Sequence, residues 1–406
     1  MIAREIATEM KTVLGEYPIV TILGPRQAGK TTLARSICHE ADYENLEVPE
    51  TREFAQSDPK AFLAQFSGQV VIDEIQRVPS LLSYIQDIVD SEKRNGRFVL
   101  TGSHQLELRG AVSQSLAGRT ALLRLLPFSI NELASADVVY DRFEDYAFRG
   151  FLPRIYDSGL RPTVAWSNYY QTYVERDVRQ LIDLKNASLF EKFIKLLAGR
   201  TGQLIDYSSL ANDVGVDSKT VRSWLSILEA SFLIFKLQPY FENFGKRVVK
   251  NPKYYFTDVG LLCFLLGIRE PEQVTRDPLV GGIFENLIIL EFLKERWNRG
   301  RIADFYFFRD SNDNEVDLLV MEGREILAME IKSCATFNAS LLKGISRIKK
   351  LMDNVFLKTF LIYNGHPFQR SDKTEILYFR DAALKILRPP FSGASVTAEN
   401  RHSRRS

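Results

Sequence analysis

Apolar runs alternate with helical patterns through the first third of the chain. Three segments, Ile19–Leu23, Val70–Ile75 and Phe98–Thr101, are almost continuously apolar. That is the pattern of strands buried on both faces of a parallel sheet. The stretches between them carry helical periodicity, so an α/β unit is expected. A turn-rich segment, Tyr156–Thr163, closes it. From Val164 to about Leu237 the pattern is helical, and a second break follows at Arg269–Pro278. A strongly apolar helix is predicted over Gly282–Trp297, then strands at Phe305–Phe308, Val316–Met321 and Ile326–Ser333. The predicted organisation is an N-terminal α/β domain over 1–160, a mainly helical middle over 161–268, and a further α/β domain over 277–390. The remainder, 391–406, is polar and rich in small residues, the composition of a disordered tail.

Composition changes this picture little. The chain has 406 residues, 45% of them hydrophobic and 26% charged, and a net charge of +2. This is ordinary globular composition, and bulk charge gives no support for nucleic-acid binding, which would need a local basic patch. Cys38, Cys263 and Cys334 are widely separated and form no CxxC pair, which favours a reducing compartment over disulfides or zinc. No apolar run reaches the roughly 18 residues of a membrane span, and the N-terminus lacks a signal-type apolar segment. A cytoplasmic protein without membrane association is expected.

The chemistry begins at Gly24-Pro25-Arg26-Gln27-Ala28-Gly29-Lys30-Thr31, which matches G-x-x-x-x-G-K-[ST] at every defined position. An apolar strand precedes it and a helical pattern follows. Backbone N–H groups of such a loop wrap phosphates, and the helix N-terminus adds favourable dipole. Residues 24–31, with Thr32, would contact ATP; Lys30 would reach the β- and γ-phosphates, and the Thr31 hydroxyl would ligate Mg²⁺. Val70–Glu74 reads as a strand ending in two carboxylates. Asp73 would hold Mg²⁺ through water, and Glu74 would act as general base on the attacking water. The third strand runs into Thr101-Gly102-Ser103, where Ser103 or Thr101 would sense the γ-phosphate. Arg119 is a candidate for stabilising the transferring phosphoryl group, from its own or a neighbouring subunit.

With GPRQAGKTT, VVIDEIQ, FVLTGSHQ and SLAGR in place, the chain resembles the AAA-type ATPases of bacteria and archaea that carry a C-terminal domain of unknown function. RGFLPRIY, YVERDV, KNPKYYFTDVGL and GGIFENLIILEF extend the resemblance from about Tyr17 to Lys332. It implies an AAA+-like P-loop NTPase domain, a helical and winged-helix middle, and a restriction-endonuclease-like α/β C-terminal domain. The later motifs mark the family without any assigned chemistry.

Two segments of the chain carry further signals. Ser208–Leu225 has Ala211, Gly215 and Val221 at the spacing of a helix-turn-helix, with Asp217 as a cap for its second helix. Ser218, Lys219 and Arg222 would face a major groove, supported by Lys246, Arg247, Lys250 and Lys253 in a wing-like loop; a packing module is the plainer alternative. Near the end, Glu315-Val-Asp317 is followed by Glu330-Ile-Lys332, the (D/E)-x-K arrangement of restriction-endonuclease-like nucleases. Asp317 and Glu330 would hold a second Mg²⁺, Lys332 would position water, and Glu285 on the preceding apolar helix is a plausible further ligand. A structural ion pair gives the same pattern. The expected function is an ATPase that couples nucleotide state to this C-terminal half. The rivals are an ATP-gated DNA nuclease and an ATP-dependent DNA- or partner-binding regulator without significant turnover. DNA, a protein partner and an oligomer are all compatible with the sequence.

Overall fold

Five parallel strands form the N-terminal sheet: β1 (Ile19–Leu23), β2 (Asp42–Asn45), β3 (Val70–Asp73), β4 (Phe98–Gly102) and β5 (Thr120–Arg124), in the order β2-β3-β4-β1-β5. The structure is a computed structural model that describes residues 2–103, 116–178, 187–240, 250–310, 312–352, 356–370 and 373–388. The expected tail over 391–406 lies outside the described residues, as do Lys246 and Arg247. The three apolar strands of the sequence reading are the central three of this sheet, every residue of them buried. β3 ends at Asp73 instead of Ile75, because Glu74 takes a left-handed conformation (φ 57°) and Ile75–Arg77 coil into a 3₁₀ turn. The edge strands β2 and β5 carry polar and half-exposed residues, so no apolar run marked them.

In the middle of the chain, helices Ala187–Ala198, Tyr207–Val214 and Ser218–Ala230 lead into an antiparallel hairpin, β6 (Ile234–Pro239) and β7 (Lys253–Phe256). The turn between the second and third helices carries Gly215 in a left-handed conformation, and Asp217 accepts from Thr220 N at 2.7 Å as an N-cap. Leu204 forms an antiparallel bridge to Lys253.

The C-terminal strands β8 (Phe305–Arg309), β9 (Glu315–Glu322), β10 (Glu325–Lys332), β11 (Phe356–Tyr363), β12 (Phe368–Gln369) and β13 (Glu375–Tyr378) do not stand alone. They join the hairpin in one eight-stranded sheet, β12-β13-β11-β10-β9-β8-β6-β7. The junction is parallel, with Gln238 opposite Tyr306 and Pro239 opposite Phe307. A boundary between 268 and 277 therefore cuts the connection between elements but not the sheet. Helix Val280–Trp297 packs against both parts and is buried from Ile283 to Arg296. Its apolar residues are spread around the whole circumference, with Glu285, Glu291 and Lys294 buried among them, and such a helix belongs inside a molecule. None of the described helices is long and apolar enough to cross a membrane.

Candidate functional site

The P-loop connects the C-terminal end of β1 to helix Lys30–Ile37. Gly24 is dictated by crowding: a Cβ there would lie 2.0 Å from the Leu125 carbonyl oxygen just beyond β5. Leu125 N donates to Leu23 O at 2.8 Å, so β5 fixes the base of the loop. Lys30 is 5% exposed, and its Nζ donates to the carbonyls of Gly24 and Pro25, both at 2.9 Å. Burial lowers its pKa to about 8, against the opposing charges of Glu74 and Asp73. Its ammonium lies against the curl of the loop, where phosphate oxygens would replace the two carbonyls.

Asp73 stands at the end of β3 with both oxygens engaged. Oδ2 accepts from Thr31 Oγ1 at 2.8 Å and from the Tyr43 hydroxyl at 2.9 Å, while Oδ1 accepts from Thr101. Burial and the neighbouring Asp73 carboxylate raise the Tyr43 pKa, so the phenol stays a donor. Thr31 and Asp73 are thus aligned as hard oxygen donors on one side of the loop, a set that suits Mg²⁺. Glu74 follows in its left-handed conformation. Its carboxylate accepts from Ser103 Oγ at 2.9 and 3.3 Å and from Gln76, and its backbone N–H donates to Thr101 Oγ1 at 3.2 Å. β4 lies between β1 and β3, which is what brings Thr101 and Ser103 to the two acids. Tyr43 and Gln76 were not singled out from the sequence; nothing local distinguishes Tyr43 from any other tyrosine on a polar edge strand.

Of the remaining loop residues, Arg26 pairs with Glu47 at 3.3 Å, and Glu47 also holds Arg77 at 3.4 Å. On the opposite flank a cavity of about 260 Å³ is lined by Gly29, Thr32, Leu33, Phe128, Pro153 and the N-terminal segment around Arg4. Arg4 fastens that segment to the loop. It donates to Ala28 O at 2.7 Å and Leu126 O at 2.6 Å and pairs with Glu132 at 3.0 Å.

Arg119 is not brought to this site. It precedes β5, and its carbonyl accepts from Ile19 N at the start of β1. The P-loop leaves the other end of β1, roughly 16 Å away at about 3.3 Å per strand residue. Its guanidinium pairs with Asp90 through two contacts of 2.6 and 2.7 Å. Adjacent parallel strands place the two at opposite strand ends, so Arg119 lies away from the P-loop of its own chain.

The C-terminal constellation does assemble. Asp317 on β9 and Glu330 and Lys332 on β10 meet at the open end of the β9–β10 hairpin. Lys332 Nζ lies 2.6 Å from Asp317 and 2.7 Å from Glu330, and Ile331 N donates to Asp317 at 2.7 Å. Burial and then the Asp317 charge push the Glu330 carboxyl up to about 8. Burial works to raise Asp317 as well, but Lys332 and Lys253 hold it below the usual carboxylate range. Glu285 joins from the long helix, yet its partner is Lys253 of β7 at 2.9 Å, and Tyr255 donates to the same oxygen. Lys253 also pairs with Glu315. The three acids already share cationic partners: Lys253 bonds one oxygen each of Glu285 and Glu315, Arg309 the other oxygen of Glu315, and Lys332 one oxygen of Asp317, so a divalent ion would have to displace Lys253.

The long helix also meets the N-terminal domain. Glu291 accepts from Ile130 N at 2.8 Å, and Lys294 donates to Phe128 O at 2.7 Å. Beside them Asp258, just past β7, accepts from Phe151 N at 3.0 Å and Gly260 N at 2.9 Å. Burial raises this carboxyl to about 7. Gly150 and Gly260 touch here: a Cβ on Gly260 would lie 2.4 Å from Trp166 Nε1 and 2.7 Å from Gly150 Cα. The motifs RGFLPRIY, KNPKYYFTDVGL and GGIFENLIILEF thus converge on one joint.

Comparison with known proteins finds three family models along the chain. Residues 16–134 match a family model described as "AAA domain", and the N-terminal domain is a P-loop domain of the AAA type. Residues 140–272 and 280–381 match two models, each described as a domain of unknown function. An uncharacterized protein of Mycobacterium tuberculosis is 34% identical over 379 residues, covering 91% of this chain and 82% of that protein. The chain belongs to the same family. An uncharacterized protein of Haemophilus influenzae is 26% identical, covering 78% of this chain and 77% of its own. Among solved structures, a Walker-type ATPase of Pyrococcus abyssi aligns at 15% identity, covering 65% of this chain and 96% of that chain, with a TM-score of 0.39.

Proposed function

We propose that the chain is an ATP hydrolase that uses nucleotide turnover to move its middle and C-terminal parts as one body. The observation that carries this reading is the paired arrangement at the end of β3. Asp73 is tied to Thr31 at 2.8 Å on the metal side, and Glu74 is turned away from it and held by Ser103. Magnesium, bound through Thr31 and Asp73, would neutralise charge on the β- and γ-phosphate oxygens. Lys30 would release Gly24 and Pro25 and bind the same oxygens. Glu74 would accept a proton from water as the water oxygen attacks the γ-phosphorus; the bond to the β–γ bridging oxygen breaks, and ADP leaves with that oxygen. The cavity bordered by Leu33, Phe128 and Pro153 is the natural seat for the nucleoside, on the side of the loop away from Asp73.

The middle segment reads best as a winged helix. Three helices, the bridge at Leu204 and the hairpin β6–β7 support it, with the Asp217 cap and Gly215 turn between the second and third helices. Its use on DNA is less favoured, since Arg222 is stacked on Tyr207 at 4.2 Å and the hairpin is built into the C-terminal sheet. The β9–β10 acids support a restriction-endonuclease-like fold for the last domain, used here for structure. Phosphate release with and without DNA tests the proposal. Wild type is expected to turn over ATP and Lys30→Ala to release none; normal hydrolysis by Lys30→Ala rules the reading out.

A further inference from the structure

The acid cluster of the C-terminal domain has the outline of a cation site. Oxygens of Glu285, Glu315 and Asp317 lie within 4.8 Å of one another, close enough to share one ion at ligand distances of about 2.0–2.6 Å. One positive charge is already inside. Lys253 is 1% exposed, and its Nζ bonds both Glu285 and Glu315. We infer that Lys253 is the resident cation of this cluster, standing where a divalent ion would bind, so that the folded chain carries a lysine-closed site and not a metal site.

Three features argue for this assignment. The first is charge. Four carboxyl groups, Glu285, Glu315, Asp317 and Glu330, face Lys253, Lys332 and Arg309, which pairs with Glu315 at 2.9 Å. Adding a divalent ion beside a retained Lys253 would put two cations in contact in a buried space, where their repulsion is poorly screened. The second is competition for the same atoms. Glu285 takes Lys253 and the Tyr255 hydroxyl on one oxygen, and Asp317 takes Lys332 and the Ile331 amide on one oxygen. The third is anchorage. Lys253 is buried, unlike a surface lysine, and its strand is clamped. The Asn286 side chain bonds both the N–H and the carbonyl of Phe256 at 2.9 and 2.8 Å, and Leu237 and Leu204 flank Lys253 in the sheet. Its ion pairs therefore bond β7 of the middle segment to the C-terminal domain. This assignment does not depend on ATP turnover, and nucleotide-free protein suffices to test it.

The experiment is Mn²⁺ binding to the full chain without nucleotide, followed by the electron paramagnetic resonance signal of free Mn²⁺. Wild type and Asp317→Asn are expected to bind equally little. Lys253→Gln is expected to gain one bound Mn²⁺ per chain, lost again in Lys253→Gln/Asp317→Asn, and to melt at a higher temperature when Mn²⁺ is present. A wild-type chain that binds one Mn²⁺ lost on Asp317→Asn overturns the inference, and this arm needs no Lys253 variant to fold. A folded Lys253→Gln chain that binds none overturns it equally.

Discussion

Ser103 donates its hydroxyl to Glu74 at 2.9 Å, tying the end of β4 to the carboxylate that follows β3. The contact aims a side chain whose backbone, left-handed at φ 57°, already diverts it from Asp73. Glu74→Gln keeps this hydrogen bond and the site's shape but removes the proton acceptor. It should bind ATP as wild type does and lose turnover by about 10²–10⁴-fold, the usual contribution of a general base. Ser103→Ala should lower kcat by a smaller factor with KM unchanged. Unaltered turnover in Glu74→Gln would assign the base elsewhere.

Thr101 and Tyr43 hold Asp73 from β4 and β2. Both donate to Asp73 and so fix the carboxylate that accepts from Thr31. Thr101→Val and Tyr43→Phe should each weaken the Mg²⁺ dependence of turnover by about 10–100-fold, as losing an outer partner of a metal ligand does. Nucleotide binding without Mg²⁺ should stay at the wild-type level. Titrating activity against Mg²⁺ at saturating ATP reads both.

Burial lowers the Lys30 pKa to about 8 in the nucleotide-free chain. Phosphate binds its charged form. Below that pH the ammonium is already charged and affinity should be flat. Above it, binding must take up a proton, and affinity should fall by up to about tenfold per pH unit. Fluorescent ATP-analogue titrations across this range at constant ionic strength measure the slope; a flat profile at high pH contradicts it.

The joint at Gly150, Gly260 and Asp258 should respond to single atoms. Gly260→Ala places a methyl against Trp166 and the Gly150 backbone, and overpacking of this kind costs about 1–3 kcal/mol. Asp258→Ala leaves the Phe151 and Gly260 amides buried without their acceptor, a loss of about 1–3 kcal/mol. The Asp258 carboxyl is raised by burial to about 7. Between its unfolded value near 3.8 and that point, the folded chain binds the extra proton, so this group's contribution to stability is present at low pH and lost as pH rises to 7. Thermal melts of wild type and Asp258→Asn over that interval should diverge accordingly.

The nucleotide loop could be read from sequence because its chemistry is local: Gly24 to Thr31 are consecutive, and Asp73 and Glu74 end an apolar run. Edge strands were not legible, since Asp42–Asn45 is polar throughout but for Tyr43. Missing β5 had a cost. Its direction, parallel to β1, is what sets Arg119 at the strand end away from the P-loop. Asp317, Glu330 and Lys332 were recovered because a hairpin brings near neighbours together. Lys253, 32 residues before Glu285, was not; it read as one basic residue in a loop, and only the tertiary fold turns it inward. The apolar pattern of Val280–Trp297 likewise predicted a buried helix without naming what Glu291 and Lys294 would hold.

The parallel seam between β6 and β8 bears on how such a gene can change. A C-terminal domain copied alone into another protein would carry away an open strand edge and leave Glu285 and Glu315 without Lys253. A middle segment copied alone would bury an unanswered lysine. Recombination between the two is penalised from both sides, so the pair should travel through genomes as one heritable piece, even though its two halves match separate family models.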